Sequence, residues 1–188
     1  MTQGLGQGLG QSPRFVAASK IVLADEGLYS NDPGDAGGET KYGHDQASWS
    51  DLLVRVGPRV REQLPAYVRD LTQEQALLAY EAGYWAPLRG DDFPSSTALA
   101  LFDSGVNQGL GFAKIALQHA LGVTCDGILG PKTLTKAQEV DPVWLLGEFT
   151  WRRLLSYRSD GGYETFGHGW ETRAIRTAAL ALSYEAKL

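Results

Sequence analysis

The sequence is poor in the residues that build disulfide frameworks and metal sites. Its 188 residues include one cysteine and three histidines. The single cysteine, Cys125, cannot form an internal disulfide and excludes a zinc site made of four thiolates. The histidines, His44, His119 and His168, do not form an H-E-x-x-H pair, which argues against a zinc amidase. We therefore expect no metal and no cofactor.

Long hydrophobic runs are also missing. No segment approaches the roughly 18 consecutive apolar residues of a membrane span. The chain starts with MTQGLGQGLGQSPR, which is glycine-rich rather than a basic stretch followed by an apolar one. We expect neither membrane insertion nor a signal peptide, and we expect residues 1–12 to form a flexible tail.

Positive charge is scarce in the first half of the chain. Residues 1–100 carry 8 basic and 13 acidic side chains, a net charge of −5, whereas residues 101–188 carry 9 of each. A nucleic-acid-binding protein needs a basic surface that neutralises phosphates. The charge distribution therefore argues against a nucleic-acid partner and favours an uncharged or zwitterionic substrate, or a cationic surface.

Helical signals dominate most of the chain. Ser12-Pro13 is typical of a helix start and Gly27 of a helix end, while Thr72 and Gln75 have the spacing of a capping box. No strands alternate with helices, which excludes Rossmann-type and P-loop architectures. We expect a mainly α protein. Later helices are predicted to start at Ser95 or Ser96, Phe112, Pro131, Asp141-Pro142 and about Trp170, the last of them running to Tyr184.

The segment after the first helix predicts a small β-hairpin. Residues 29–38 are dense in turn-forming residues, and residues 39–43 alternate like a short strand. The hairpin would lie next to the helix that carries Glu26 in its last turn.

Glu26 is the candidate general acid. The C-terminal end of a helix carries partial negative charge, which raises the pKa of a carboxyl group there, and Asp25 and Asp35 act in the same direction. A protonated Glu26 and an ionised Asp35 would form the minimal machinery for cleaving a glycosidic bond. If Asp35 and Thr40 hold a water that attacks the sugar, the configuration at the anomeric carbon is inverted. If one of them attacks the anomeric carbon itself, the configuration is retained. The pattern also fits purely structural roles, with Asp35 and Asn31 stabilising turns and Thr40 filling a strand.

The segment from Asp25 to Gly43, DEGLYSNDPGDAGGETKYG, resembles the signature of the glycoside hydrolase family 108 N-acetylmuramidases. These are a lysozyme-like group found in phage endolysins and bacterial lytic proteins. The resemblance implies that Glu26 is the catalytic glutamate, and the Glu, Asp, Thr order of phage-type lysozymes implies roles for Asp35 and Thr40. Leu28 replaces a glycine of the family pattern, and His44, a candidate titratable group near the cleft floor, replaces an isoleucine.

The second half is similar to the predicted peptidoglycan domain that follows this catalytic module. The resemblance rests on segments within residues 102–109, 117–122 and 126–134. It implies a lysozyme-like catalytic module over residues 13–100, with a helical half over 101–188 packed on it. Trp85 fits core packing as well as sugar stacking, and Asp103 and Asn107 fit helix cross-links as well as a cleft. We expect substrate-binding roles for Asn31, Tyr42, Trp85, Asp103 and Asn107.

The function implied is that of an endolysin-type lysozyme. It would act as a monomer on peptidoglycan glycan strands, hydrolysing the β-1,4 bond from N-acetylmuramic acid to N-acetylglucosamine. A phage enzyme of this kind would wait in the host cytoplasm until a holin opens the membrane and would then reach the wall in the periplasm; a bacterial origin is also open. The alternatives are a non-catalytic peptidoglycan-binding or secretion-assisting protein with the same fold, and a hydrolase of peptide bonds.

Overall fold

The computed structural model describes the backbone of residues 11–26, 29–30 and 39–185. The side chains of residues 25–30 and 184–185 lie outside this description. Two residues of the predicted site, Asn31 and Asp35, lie outside it entirely, as do residues 1–10 of the predicted tail.

The described chain is mainly helical with a small sheet, which confirms the predicted fold class. Short 3₁₀ turns at Val68–Asp70 and Gly90–Asp92 and a π-helical segment at Glu81–Trp85 connect the longer elements. The helices are α1 (Pro13–Glu26), α2 (Gln46–Arg55), α3 (Pro58–Arg61), α4 (Gln73–Tyr80), α5 (Ser95–Asn107), α6 (Leu110–Leu121), α7 (Pro131–Glu139), α8 (Pro142–Arg158) and α9 (Tyr163–Glu185).

The sheet has three antiparallel strands rather than the single hairpin expected. They are β1 (Tyr29–Ser30), β2 (Thr40–Lys41) and β3 (His44–Asp45), in the order β1-β2-β3. β3 adds a second hairpin because His44 pairs with Lys41 across a two-residue turn.

Three helix-start signals are realised at their predicted positions, whereas α6 begins at Leu110 rather than at the predicted Phe112, and the predicted end signal Gly27 lies outside the described residues. The hydroxyl of Ser12 accepts a hydrogen bond from the backbone N–H of Phe15 at 3.1 Å, at the start of α1. Thr72 and Gln75 form the reciprocal capping box of α4. Asp141 caps α8 by accepting from the N–H of Trp144 at 2.8 Å. These side chains satisfy N–H groups that the helix itself leaves without partners.

The chain divides into two compact units, Met1–Gly83 and Tyr84–Leu188. In the first unit, α2 packs on β3. In the second, α5 is buried from Ser95 to Gly105 and packs against α6, α8 and α9. The functional division into a catalytic module over residues 13–100 and a peptidoglycan-domain-like half over 101–188 stays a prediction. Within the described ranges, no helix is both long and apolar enough to cross a membrane.

Candidate active site

The candidate acid lies at a helix end, as the sequence predicts. Glu26 is the last residue of α1, which buries Phe15, Ala18 and Val22 along one face. Burial of that face fixes the helix, and therefore the backbone of Glu26. Its side chain lies outside the described residues, so its catalytic role stays a prediction.

The sheet holds Thr40 close to the chain that leaves α1. Thr40 is half-buried, and its Cα pairs with Ser30 on one side and Asp45 on the other. Ser30 follows Glu26 by only four residues, which an extended chain spans in about 14 Å at most. Asp35 falls between Ser30 and Thr40 in the sequence and lies outside the described residues. The backbone therefore brings Thr40 to the neighbourhood of Glu26, whereas the roles of Asp35 and Asn31 stay predictions.

A tight turn follows Thr40 and Lys41. Tyr42 and Gly43 have φ values of 50° and 78°, so both occupy the left-handed region between two paired strands. This is the backbone of a two-residue type I′ hairpin, which favours glycine or asparagine at both positions. A tyrosine there is strained. The hydroxyl of Tyr80 on α4 donates to the carbonyl of Tyr42 at 2.8 Å, which holds the strained peptide in place.

Tyr42 is half-buried, and its predicted contact with substrate stays a prediction. Tyr80 was not among the residues that the sequence predicted for the site. No local signal distinguishes it, since Tyr80 is 38 residues from the turn that it supports.

His44 lies beneath the sheet rather than on an accessible surface. It is 2% exposed, with its ring centroid 5.1 Å from that of Tyr80 and 5.5 Å from that of Trp49. Burial lowers the pKa of His44 to about 4; the carboxylate of Asp45 acts in the opposite direction, and Arg55 lowers it further. His44 is therefore neutral at the pH of most cell compartments, and it packs the sheet against α2 and α4.

Hydrogen bonds from side chains join the sheet region to the loop that follows α3. Lys41 donates through Nζ to the carbonyl of Arg69 at 2.7 Å. Gln46 binds the same loop twice, donating to the carbonyl of Ala66 at 3.1 Å and accepting from the N–H of Val68 at 2.9 Å. Each of these hydrogen bonds joins residues that are 20 or more positions apart in the sequence. Together they attach β2 and the start of α2 to the same loop.

Trp85 is packed inside the second unit. Its side chain is 2% exposed, its Nε1 donates to Oδ2 of Asp91 at 3.0 Å, and its ring meets that of Phe102 edge-on at 5.5 Å. A Cβ at Gly90 would lie 2.3 Å from the Trp85 ring, so the indole sits directly on that backbone. The packing alternative accounts for all of these contacts, and the substrate-binding role of Trp85 stays a prediction.

Asp103 joins three helices. On α5, it is 1% exposed and accepts hydrogen bonds from Nη2 of Arg153 on α8 at 2.7 Å and from Nε of Arg173 on α9 at 2.9 Å. Nη2 of Arg173 also lies 2.8 Å from Oδ1 of Asp103 as an ion pair. Two positively charged groups thus share one buried carboxylate. These contacts are those of a cross-link between helices, one of the two roles that the sequence allowed for Asp103. A role for Asp103 in binding substrate stays a prediction.

Asn107 belongs to the same group of polar side chains but is exposed. Its Oδ1 accepts from the hydroxyl of Tyr157 at 2.5 Å, and that hydroxyl in turn accepts from Nη2 of Arg153 at 3.2 Å. Burial raises the pKa of Tyr157, which keeps this hydroxyl protonated as a donor. The exposed amide of Asn107 is thereby linked to the buried ion pair of Asp103 and Arg153, and its predicted contact with substrate stays a prediction.

Among the residues that the structure describes, no group of three or more histidine, cysteine, aspartate or glutamate side chains could hold a metal ion.

Comparison with known proteins connects this geometry to a family. The model of the family described as Glycosyl hydrolase 108 matches residues 19–109, which include Glu26, the sheet and the Phe102–Gly109 segment. The "Structure of Brucella abortus SagA" is similar to this chain with a TM-score of 0.78 and 32% sequence identity, over 91% of this chain and 95% of that one. The comparison with curated proteins gave no match. The lysozyme-like fold predicted from the sequence is confirmed, and the chain belongs to the glycosyl hydrolase 108 family.

Proposed function

We propose that this family member is an N-acetylmuramidase, a lysozyme that hydrolyses the β-1,4 bond between N-acetylmuramic acid and N-acetylglucosamine in bacterial peptidoglycan. The observation that carries the proposal is the family match over residues 19–109, which contains the Glu26–Thr40 segment at the end of α1. Neither rival, a non-catalytic binder or a peptidase, has an observation of comparable specificity in its favour.

In this mechanism Glu26 protonates the leaving oxygen. The C-terminal end of α1 favours the neutral acid, because the partial negative charge of the helix end opposes a carboxylate. Asp35 stays ionised and acts with Thr40 on the opposite face of the sugar. If the two hold a water, the product is inverted, and if one attacks the anomeric carbon, configuration is retained. Proton NMR of the anomeric centre in the first product distinguishes the two courses.

The test compares Glu26→Gln with wild type on purified peptidoglycan. Glutamine has nearly the same shape but cannot donate the proton, so we expect a loss of activity of about 10²–10⁴-fold. Glu62→Gln is the matched control, since Glu62 is exposed at the end of α3. Mass spectrometry of the products should show new reducing muramic acid ends.

Three outcomes would contradict the proposal. Negligible turnover by wild type would support the binder, and release of new amines without reducing ends would support a peptidase. Full activity in Glu26→Gln would remove Glu26 from the mechanism.

The setting of the activity belongs to the same proposal. By resemblance to phage endolysins, the enzyme acts as a monomer without a cofactor, accumulates in the host cytoplasm and reaches the wall when a holin opens the membrane. Expression in a bacterial host should then cause lysis only when a holin is co-expressed, and light scattering should give the mass of one chain. Lysis without a holin would contradict this setting but not the reaction.

A further inference from the structure

The outward side of α8 carries an unusual line of residues. Trp144, Glu148, Trp151, Leu155 and Arg158 follow one another at alternating spacings of four and three, which places them on one narrow face of the helix. We call these five residues the tryptophan stripe.

The stripe lies opposite the side of α8 that packs into the second unit. The buried residues of the helix are Leu145, Leu146, Phe149, Arg153 and Tyr157, which fall on the other half of the helical wheel. Within the stripe, 51% of Trp144, 45% of Trp151 and 40% of Leu155 is exposed. About half of each indole therefore faces solvent, on the side of α8 that lies away from the buried residues. Large amphipathic rings held at a surface in this way are typical of a binding site.

We propose that the tryptophan stripe binds a β-1,4-linked glycan strand of N-acetylated sugars; this choice of ligand rests on the proposed function. Trp144 and Trp151 are seven residues apart, about 10.5 Å along the helix axis. That distance corresponds to one disaccharide unit of such a strand, so the two rings can stack on sugars in successive units.

The polar members of the stripe suit the same ligand. Glu148 lies between the two indoles and offers acceptors for hydroxyl and amide protons, and Arg158 at the end of the line offers donors for acetamido carbonyls or the lactyl carboxylate of muramic acid. The guanidinium of Arg158 lies 5.9 Å from the centre of the Trp151 ring, and its Nε pairs with Oε1 of Glu171 at 2.9 Å. These contacts hold Arg158 in position before a ligand arrives.

Other occupants fit the stripe less well. A stable dimer buries about 800 Å² on each partner, and two half-exposed indoles supply only about 100 Å² each. A membrane-surface helix needs a broad apolar face and a basic polar face. Here the apolar line is one residue wide and contains Glu148, in a chain with a net charge of −5.

The experiment measures glycan binding separately from hydrolysis. All proteins carry Glu26→Gln, so that the wall is not consumed, and the test variant adds Trp144→Ala and Trp151→Ala. Binding is followed by sedimentation with insoluble peptidoglycan and by tryptophan fluorescence during titration with the N-acetylglucosamine hexamer. We expect about a tenfold loss of affinity for the wall and loss of most of the fluorescence change. Replacing both tryptophans by tyrosine should restore most of the binding, because tyrosine also stacks.

Phe166→Ala is the matched control, since Phe166 is 59% exposed on α9 and outside the stripe. Circular dichroism and thermal unfolding check that every variant is folded. Unchanged wall binding in the double variant, or an equal loss in Phe166→Ala, would overturn the proposal. So would a dimer or vesicle binding that depends on the two tryptophans while glycan binding does not. Failure of the proposed hydrolysis is seen separately, in the Glu26→Gln assay without these substitutions.

Discussion

Burial decides what His44 contributes. The sequence marks it as a titratable group beside the predicted cleft, whereas the structure encloses it between Trp49 and Tyr80. With a pKa lowered to about 4, it is uncharged under the conditions in which the protein is expected to act. It therefore supports the sheet by packing and does not supply a proton at neutral pH.

This environment predicts a loss of stability in acid. The unfolded chain binds a proton at His44 below its ordinary pKa of 6.5, while the folded protein resists protonation until about pH 4. The contribution of His44 is thus fully present above pH 6.5 and is lost as the pH falls toward 4, by about 3 kcal/mol. Urea unfolding of wild type and His44→Phe between pH 4 and 8 measures it. The free energy of unfolding should depend less steeply on pH in His44→Phe than in wild type. An equal dependence on pH in the two proteins would show that this histidine does not titrate as inferred.

Helix boundaries set by local chemistry were predictable, and pairings between elements were not. The capping box of α4 and the proline starts of α7 and α8 depend on side chains within a few residues of the N–H groups that they satisfy. β3 depends on the pairing of His44 with Lys41 across a strained turn that a residue of α4 supports. The positive φ angle of Tyr42 therefore could not be predicted from the sequence and is evident only in the structure.

The last helix shows how packing overrides local preference. The sequence predicts a start near Trp170, but α9 begins at Tyr163 and runs through Gly167 and Gly169. Glycine inside a helix is unfavourable. At Gly167, a Cβ would lie 2.4 Å from the Tyr163 ring, so the glycine gives the ring the space to pack along the helix.

The buried link between α5, α8 and α9 predicts a large effect of one substitution. Asp103→Ala would leave Arg153, which is 1% exposed, without its counter-charge, and would remove the same partner from Arg173. We expect a loss of about 3–5 kcal/mol in the free energy of unfolding, measured by urea denaturation.

The matched control is Asp92→Ala, which breaks the exposed ion pair with Arg89. An ion pair open to solvent contributes only about 0–1 kcal/mol. Equal losses in Asp103→Ala and Asp92→Ala would show that the link contributes no more than a surface contact.

The net charge of the whole molecule predicts that it does not bind polyanions such as DNA. Its net charge is −5, and the acidic excess falls entirely within residues 1–100. Since affinity for DNA depends on neutralising phosphates with basic side chains, we expect no shift of duplex DNA in a mobility assay at physiological salt. A salt-sensitive shift at micromolar protein would contradict this and reveal a basic surface that the overall charge conceals.

The two units differ in how much of their chemistry could be predicted from the sequence. In the first unit, the residue types and their order in the Glu26–Thr40 segment predict glycosidase chemistry, and the family match supports that prediction. In the second unit, Trp85 was chosen as an aromatic ring able to stack on a sugar and Asp103 as a polar residue in a motif segment, yet both are buried. Conversely, Trp144 and Trp151 stand exposed on α8 and were not among the expected site residues.

The sequence by itself determined the helical class, most helix starts, the family and the residue types of the candidate active site. Each of these depends on neighbours along the chain or on an ordered motif. Only the tertiary structure decided that His44 is neutral, that Tyr80 holds the turn after Thr40, and that Asp103 links three helices. The physical reason is that burial and pairing come from residues distant in sequence, such as the 38 residues between Tyr42 and Tyr80 or the 70 between Asp103 and Arg173.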